Sequence, residues 1–440
     1  MMMEMRKLAL IVMSLACIGG SAAGIYYTHP WAAEAAYATP QESDPYVRFD
    51  MEAYDQIAEN YWMKPGDYAK FGLPELPQLF GLAISKVSGQ SVSPATSTRA
   101  ATAEMLGTVF ATATSTDEKR QWALQTVGLI INSLLPVGRN EVLSSQQQTQ
   151  LRDTVSNVNP STDLYSELGV TASATPAQIQ GAYHSTKTQL EASTSPQAKQ
   201  ELARASYVHD VLSNSASRAQ YDQNGAEPTV FPHILGTTLY IDIDKMSPTT
   251  LQEFGRALDS ASTTPLSSMI IDLRGNIGGS LDLAPYLIGM FVGQNQYTFD
   301  LFHQGDYQTQ RSPIPKVAEL QRYTELVLLT DGMTQSTAEV FTAAMERFHL
   351  ATVVGSTTRG WGSVENTYPL STPIDPSTTY ALLLVNSLTL RPDGNPIEGS
   401  GVDPDIKTAD KNWRSELSQA LRSQGLISAV EKTVTQPPLQ

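Results

Sequence analysis

Met269-Ile270-Ile271-Asp272-Leu273-Arg274-Gly275-Asn276-Ile277-Gly278-Gly279 is the stretch that decides how this chain is read. Met269–Leu273 is a short apolar run of strand length, and the glycines behind it mark a tight turn at the strand exit. Leu281–Phe291 then reads as a helix. The alternation extends outward on both sides. Upstream, Leu239–Ile243 alternates as a strand, with Asp242 and Asp244 expected to face solvent rather than to bind metal. Ser247-Pro248 supplies an N-cap and a first-turn proline for a helix carrying Leu251, Phe254 and Leu258 on one face. Downstream come a strand at Leu326–Leu329, a helix at Ser336–Phe348, a strand at Ala351–Val354 and a long strand at Tyr380–Leu390. Strand and helix in turn imply crossover units around a central mixed sheet, an α/β core.

The chain has 440 residues, 41% of them hydrophobic, which excludes disorder throughout. Twenty-nine Lys and Arg stand against 44 Asp and Glu, a net charge of −15 without any basic run, and this argues against nucleic acid as a partner. The single cysteine, Cys17, excludes a disulfide scaffold. No CxxC, HExxH or phosphate-cradling glycine loop is present, so neither a metal nor an organic cofactor is implied.

Five regions follow. Residues 1–38 carry Arg6 and Lys7 ahead of an uncharged stretch, the pattern of an export signal or membrane anchor, with a lipidated Cys17 as an alternative. Residues 43–150 are helical: Tyr54, Ile57, Ala58 and Tyr61 share one face, as do Leu76, Leu79, Phe80, Ala83 and Ile84. Gly89–Thr116 reads as a loop with one short helix around Ala103–Phe110, Trp122–Leu135 as another helix, and the Gln-rich Ser144–Thr162 as a linker. Residues 160–226 are a compact helical unit, residues 232–410 the α/β core, and residues 411–440 a C-terminal helix and tail.

The unit at 160–226 contains Leu164-Tyr165-Ser166-Glu167-Leu168-Gly169-Val170, Ala182-Tyr183 and Arg218-Ala219-Gln220-Tyr221-Asp222. It resembles a J-domain over nearly its whole length. The resemblance implies a His-Pro-Asp triplet after the second helix, and Glu191-Ala192-Ser193 stands there instead. A spacer or docking module is therefore expected, and stimulation of a chaperone ATPase is not.

Three further motifs join the opening stretch in order: Ser336-Thr337-Ala338-Glu339 opening a helix, Thr358-Arg359-Gly360-Trp361-Gly362, and Glu398-Gly399-Ser400-Gly401-Val402. Together, over about Gly236–Ile406, they resemble the catalytic core of the C-terminal-processing (tail-specific) serine peptidases. The resemblance implies Ser336 as nucleophile, with the Thr337 amide and the Gly278-Gly279 backbone as oxyanion hole, and a polypeptide as substrate or client. The physics agrees, because a serine at a strand-to-helix turn presents its hydroxyl beside free helix N–H groups.

The departure is the base. The resemblance implies a lysine 25 residues after the serine, and that position (361 − 336 = 25) is Trp361. An indole has no lone pair with which to take a proton, and Arg359 stays protonated. Glu365 could serve as base, as could His233, His303 or His349, with His349 read as a packed structural residue. None of them is expected to do so. The segment between Val87 and Pro232 also lacks the strand alternation of the PDZ domain that the family usually carries.

Overall fold

The computed structural model describes residues 39–193 and 195–439, so the stretch expected to be an export signal or anchor, residues 1–38 with Cys17, lies outside the described residues. Two compact units form. One combines residues 39–150, 299–310 and 362–398; the other combines 151–298, 311–361 and 399–439. The α/β core expected over 232–410 is thus divided, because the strands at 299–310 and 362–398 pair with one another and with the N-terminal region instead of with the central sheet.

In the first unit, helices Pro45–Asn60, Leu76–Ser88, Arg99–Phe110 and Thr116–Ser133 bury Phe49, Ile57, Phe80, Leu106 and Ile130 against Leu382 and Leu384 of the strand Tyr380–Leu390. The short helix expected around Ala103–Phe110 is present and begins four residues earlier, spanning Arg99–Phe110 with Thr98 as its N-cap. The Gln-rich stretch is not a linker. Glu141–Ser144 pairs antiparallel with Leu383–Tyr380, and Ser145–Val155 continues as a helix that buries no side chain. A helix without an apolar face leaves no period to read. The hairpin Tyr297–His303 and Asp306–Arg311, also unforeseen, pairs with Leu388–Leu390.

The second unit is built on a six-stranded sheet in the order Ile406–Lys407, Thr352–Gly355, Glu325–Thr330, Ser268–Asp272, Thr238–Ile243, Val230–Leu235, parallel except for the last pair. All six residues of Thr238–Ile243 are buried, so the expected alternation fails and Asp242 is buried, with Asp244 half-buried. Strands of a parallel sheet covered on both faces have no solvent side. The following helix spans Thr250–Ser260 and starts two residues later than the Ser247-Pro248 pair suggests. The Thr250 hydroxyl, bonded to the Lys245 carbonyl and the Ser247 N–H, closes a turn ahead of it.

Residues 160–226 form four helices, Leu164–Glu167, Pro176–Glu191, Pro196–Ser213 and Ser215–Asn224, around Leu164, Leu168, Ile179, Val208 and Leu212. Buried Glu253 fastens them to the sheet. Its carboxylate accepts from Gln220 Nε2 at 2.8 Å and from the Thr229 and Val230 amides at 2.6 and 3.0 Å.

Candidate active site

The parallel strands Ser268–Asp272 and Glu325–Thr330 end side by side, and their loops interlock. Crevices at the carboxyl ends of such strands are where open α/β sheets place their sites. Asp331 Oδ1 accepts from the amides of Gly275, Met333 and Thr334 at 2.9–3.0 Å. The Gln335 amide donates to the Asn276 carbonyl at 2.9 Å. Asn276, fully buried, donates to the Ile243 carbonyl at 2.6 Å and accepts the Gly278 amide at 2.8 Å.

Ser336 sits between loop and helix with φ 57° and ψ −126°, a positive-φ conformation that a non-glycine residue adopts only when its surroundings enforce it. Helix Thr337–Arg347 follows at once. The Thr337 amide, in the first helical position, has no intrahelical acceptor. Gly278, at φ +81°, lies against the serine: a methyl group there would fall 2.5 Å from Ser336 Cβ and 3.0 Å from its Oγ. Gly279 packs as tightly on the Met246 carbonyl, and its own carbonyl accepts from Thr337 Oγ1 at 3.2 Å. The structure therefore brings Ser336, Thr337, Gly278 and Gly279 together. It separates the two glycines in one respect, since the Gly278 N–H is already committed to Asn276.

Glu339 organises the rest. One turn into the helix and fully buried, its Oε2 accepts the amides of both Ser336 (2.8 Å) and Trp361 (2.7 Å). Its Oε1 accepts the Gly360 amide at 2.7 Å and the Thr358 hydroxyl. Burial pushes this carboxyl above its ordinary value, with the four donors only partly offsetting the desolvation. The Arg359 amide adds a bond to the Thr334 carbonyl at 2.8 Å, while the Arg359 side chain is exposed. The backbone of 358–361 is thus riveted to the serine loop, and half-buried Trp361 is the side chain at the position where the resemblance implies a lysine. Nothing in the sequence motif alone gives Glu339 this anchoring role. The Ser-x-x-Glu spacing of a capping box was the available signal.

No side chain of the same unit hydrogen-bonds Ser336 Oγ among the described residues. His349 is exposed, not packed, and lies past the far end of the serine's own helix, roughly 20 Å away at 1.5 Å per residue. His233 is on the edge strand, three strand spacings or about 14 Å from the strand that leads to Ser336. His303 belongs to the other unit and bonds the Asn386 carbonyl at 2.6 Å. Glu365 is likewise in that unit, on Ser363–Leu370, where its Oε1 accepts from Ser363 Oγ at 2.7 Å.

Comparison with known proteins fits this geometry. Residues 237–408 match the model of peptidase family S41. A probable CtpA-like serine protease of Staphylococcus haemolyticus is 31% identical over 174 residues, covering 39% of this chain and 34% of that protein. The carboxy-terminal processing protease CtpA of Bacillus subtilis is 30% identical over 189 residues, 40% of this chain and 38% of its own. The chain spans about a third of the length of the curated relatives it matches. Among solved structures, the photosystem II D1 C-terminal processing protease aligns with a TM-score of 0.47 at 12% identity, over 84% of this chain and 93% of that one. No described helix is long and apolar enough to cross a membrane.

Proposed function

We propose that the S41-related segment 237–408 is a serine-peptidase-type site that captures polypeptide and hydrolyses it feebly or not at all, because Trp361 stands where a base is needed. The Thr337 and Gly279 amides serve as the oxyanion donors; Gly278 serves by its lack of a side chain. Attack by Ser336 Oγ on a peptide carbonyl releases a proton, which an indole cannot accept. Removing the base of a serine triad costs on the order of 10⁶ in kcat, whereas oxyanion donors and binding contacts survive such a loss. The observation that carries this reading is the shared acceptor. Ser336 and Trp361 both donate their amides to Glu339 Oε2, so residue 361 keeps its backbone place while its side chain cannot do the work. The helical unit 160–226, with Glu191-Ala192-Ser193 in place of the expected triplet, acts in this reading as a docking module of an exported protein.

The test measures binding and cleavage of a fluorescently labelled unfolded polypeptide by the full chain and by Trp361→Lys. Binding by both with cleavage gained only in the variant supports the proposal. Absence of binding to any unfolded polypeptide overturns it.

A further inference from the structure

The turn that carries Gly278 and Gly279 is held from two sides. The serine loop holds one side through Asp331 and Thr334. The other side begins at Asp272, which is fully buried and pairs with Arg274 at 2.6 Å. Asp272 Oδ1 also accepts the Arg274 amide at 3.0 Å, and Oδ2 accepts the hydroxyl of buried Tyr240 at 2.8 Å. Both partners of this carboxylate are engaged by one distant stretch of chain. Arg274 Nη1 donates to the Gln436 carbonyl at 2.9 Å, and the Leu439 amide donates to the Tyr240 hydroxyl at 3.0 Å. Leu439 and Val434 pack on the same apolar cluster as Tyr240, Leu426 and Val430.

We infer that residues 436–439 act as a strap that positions the glycine turn through Tyr240, Asp272 and Arg274. Two physical features suit it to the task. Pro437-Pro438 fixes φ across the middle of the strap, so little backbone freedom remains to be lost when it docks. The carboxylate it secures is buried, where a donor left unmatched costs far more than at a surface. With the strap in place, the Tyr240 hydroxyl both accepts and donates, and the Arg274 guanidinium is shared between carboxylate and carbonyl. The next residues along the chain are Gly275, Asn276 and Gly278, whose amides donate to Asp331 Oδ1, the Leu273 carbonyl and Asn276 Oδ1. These bonds set where Gly278 meets Ser336. The catalytic meaning of the strap rests on the reading of Gly279 and Thr337 as oxyanion donors. The positioning itself does not, and its test involves no catalysis.

The experiment is hydrogen exchange with peptide mass spectrometry on the full chain, on Leu439→Pro and on a chain ending at Thr435. Leu439→Pro removes one N–H while keeping an apolar residue. The expected result is exchange at least about tenfold faster in peptides spanning 273–280 in both variants. Peptides from helix Thr337–Arg347 and strand Ser268–Asp272 should stay within about twofold of the unaltered chain. Tyr240→Phe should reproduce the local effect. Turn exchange within twofold of the unaltered chain in Leu439→Pro overturns the inference. So does acceleration spread evenly over the unit, the signature of a merely structural role.

Discussion

Gly278→Ala is the perturbation that most sharply interrogates how the glycine turn meets the serine. The added methyl would lie 2.5 Å from Ser336 Cβ and 2.8 Å from the Gln335 carbonyl oxygen, where carbon contacts prefer about 3.5–4.0 Å. Two costs combine. An L-residue at φ +81° costs about 1–2 kcal/mol, and forcing a methyl into a packed site adds about 1–3 kcal/mol. Gly275 provides the control, because it has nearly the same conformation, φ +77°, with nothing within 4 Å of its added methyl. Gly275→Ala should therefore carry only the conformational cost. Urea titration read by limited proteolysis and peptide mass spectrometry reports each unit separately. The expected result is that Gly278→Ala destabilises the 151–298 region by about 1–3 kcal/mol more than Gly275→Ala does. Equal losses would refute the close approach of Gly278 to Ser336, and with it the geometry assigned to the site.

Three other perturbations have definite outcomes. Glu339→Gln replaces one acceptor oxygen with an amide that faces donors, so stability should fall by at least about 1–3 kcal/mol and exchange should quicken at Gly360 and Trp361; unchanged protection there would contradict the four-bond anchor. Asp50 is fully buried in the first unit, and burial holds its carboxyl well above its ordinary value of 3.8. A folded pKa above the unfolded one gives stability that is greatest below the unfolded value and lost as pH rises through the folded one. Asp50→Asn should flatten that decline in urea midpoints of the first unit between pH 4 and 8, and an identical slope in both proteins would count against it. Glu253→Ala strips the Gln220, Thr229 and Val230 donors of their acceptor, so protection of the Ser215–Asn224 helix should drop by tenfold or more. Undiminished protection would show that the helical unit is fastened elsewhere.

Much of the α/β arrangement was legible because its elements carry strong periods. Met269–Leu273 lies within one residue of the observed strand, and Tyr380–Leu390 coincides with it. The serine helix was equally plain, since Ser336 and Glu339 cap it. What escaped was long-range. Nothing local reveals that Asp306–Arg311, exposed along most of its length, pairs as an edge strand, or that the polar Ser145–Val155 is helical. The division into two units also follows from pairings distant in sequence, such as Glu141–Ser144 with Leu383–Tyr380. At the site, the residues that touch were named from their order along the chain. The different hydrogen bonding of Gly278 and Gly279 depends on the Asn276 side chain, and the hub at Glu339 depends on the path of 358–361, neither of which spacing encodes.

Ser336 has a built niche, and the proposed function gives it no working base. The most direct measurement of this is mass-spectrometric detection of new termini after prolonged incubation of an unfolded polypeptide with the purified chain, in parallel with Ser336→Ala and Trp361→Lys. Product from the unaltered chain should be at, or barely above, the Ser336→Ala background. Cleavage that is absent with Ser336→Ala and as fast in the unaltered chain as in Trp361→Lys would contradict it, because some group would then already be taking the serine's proton.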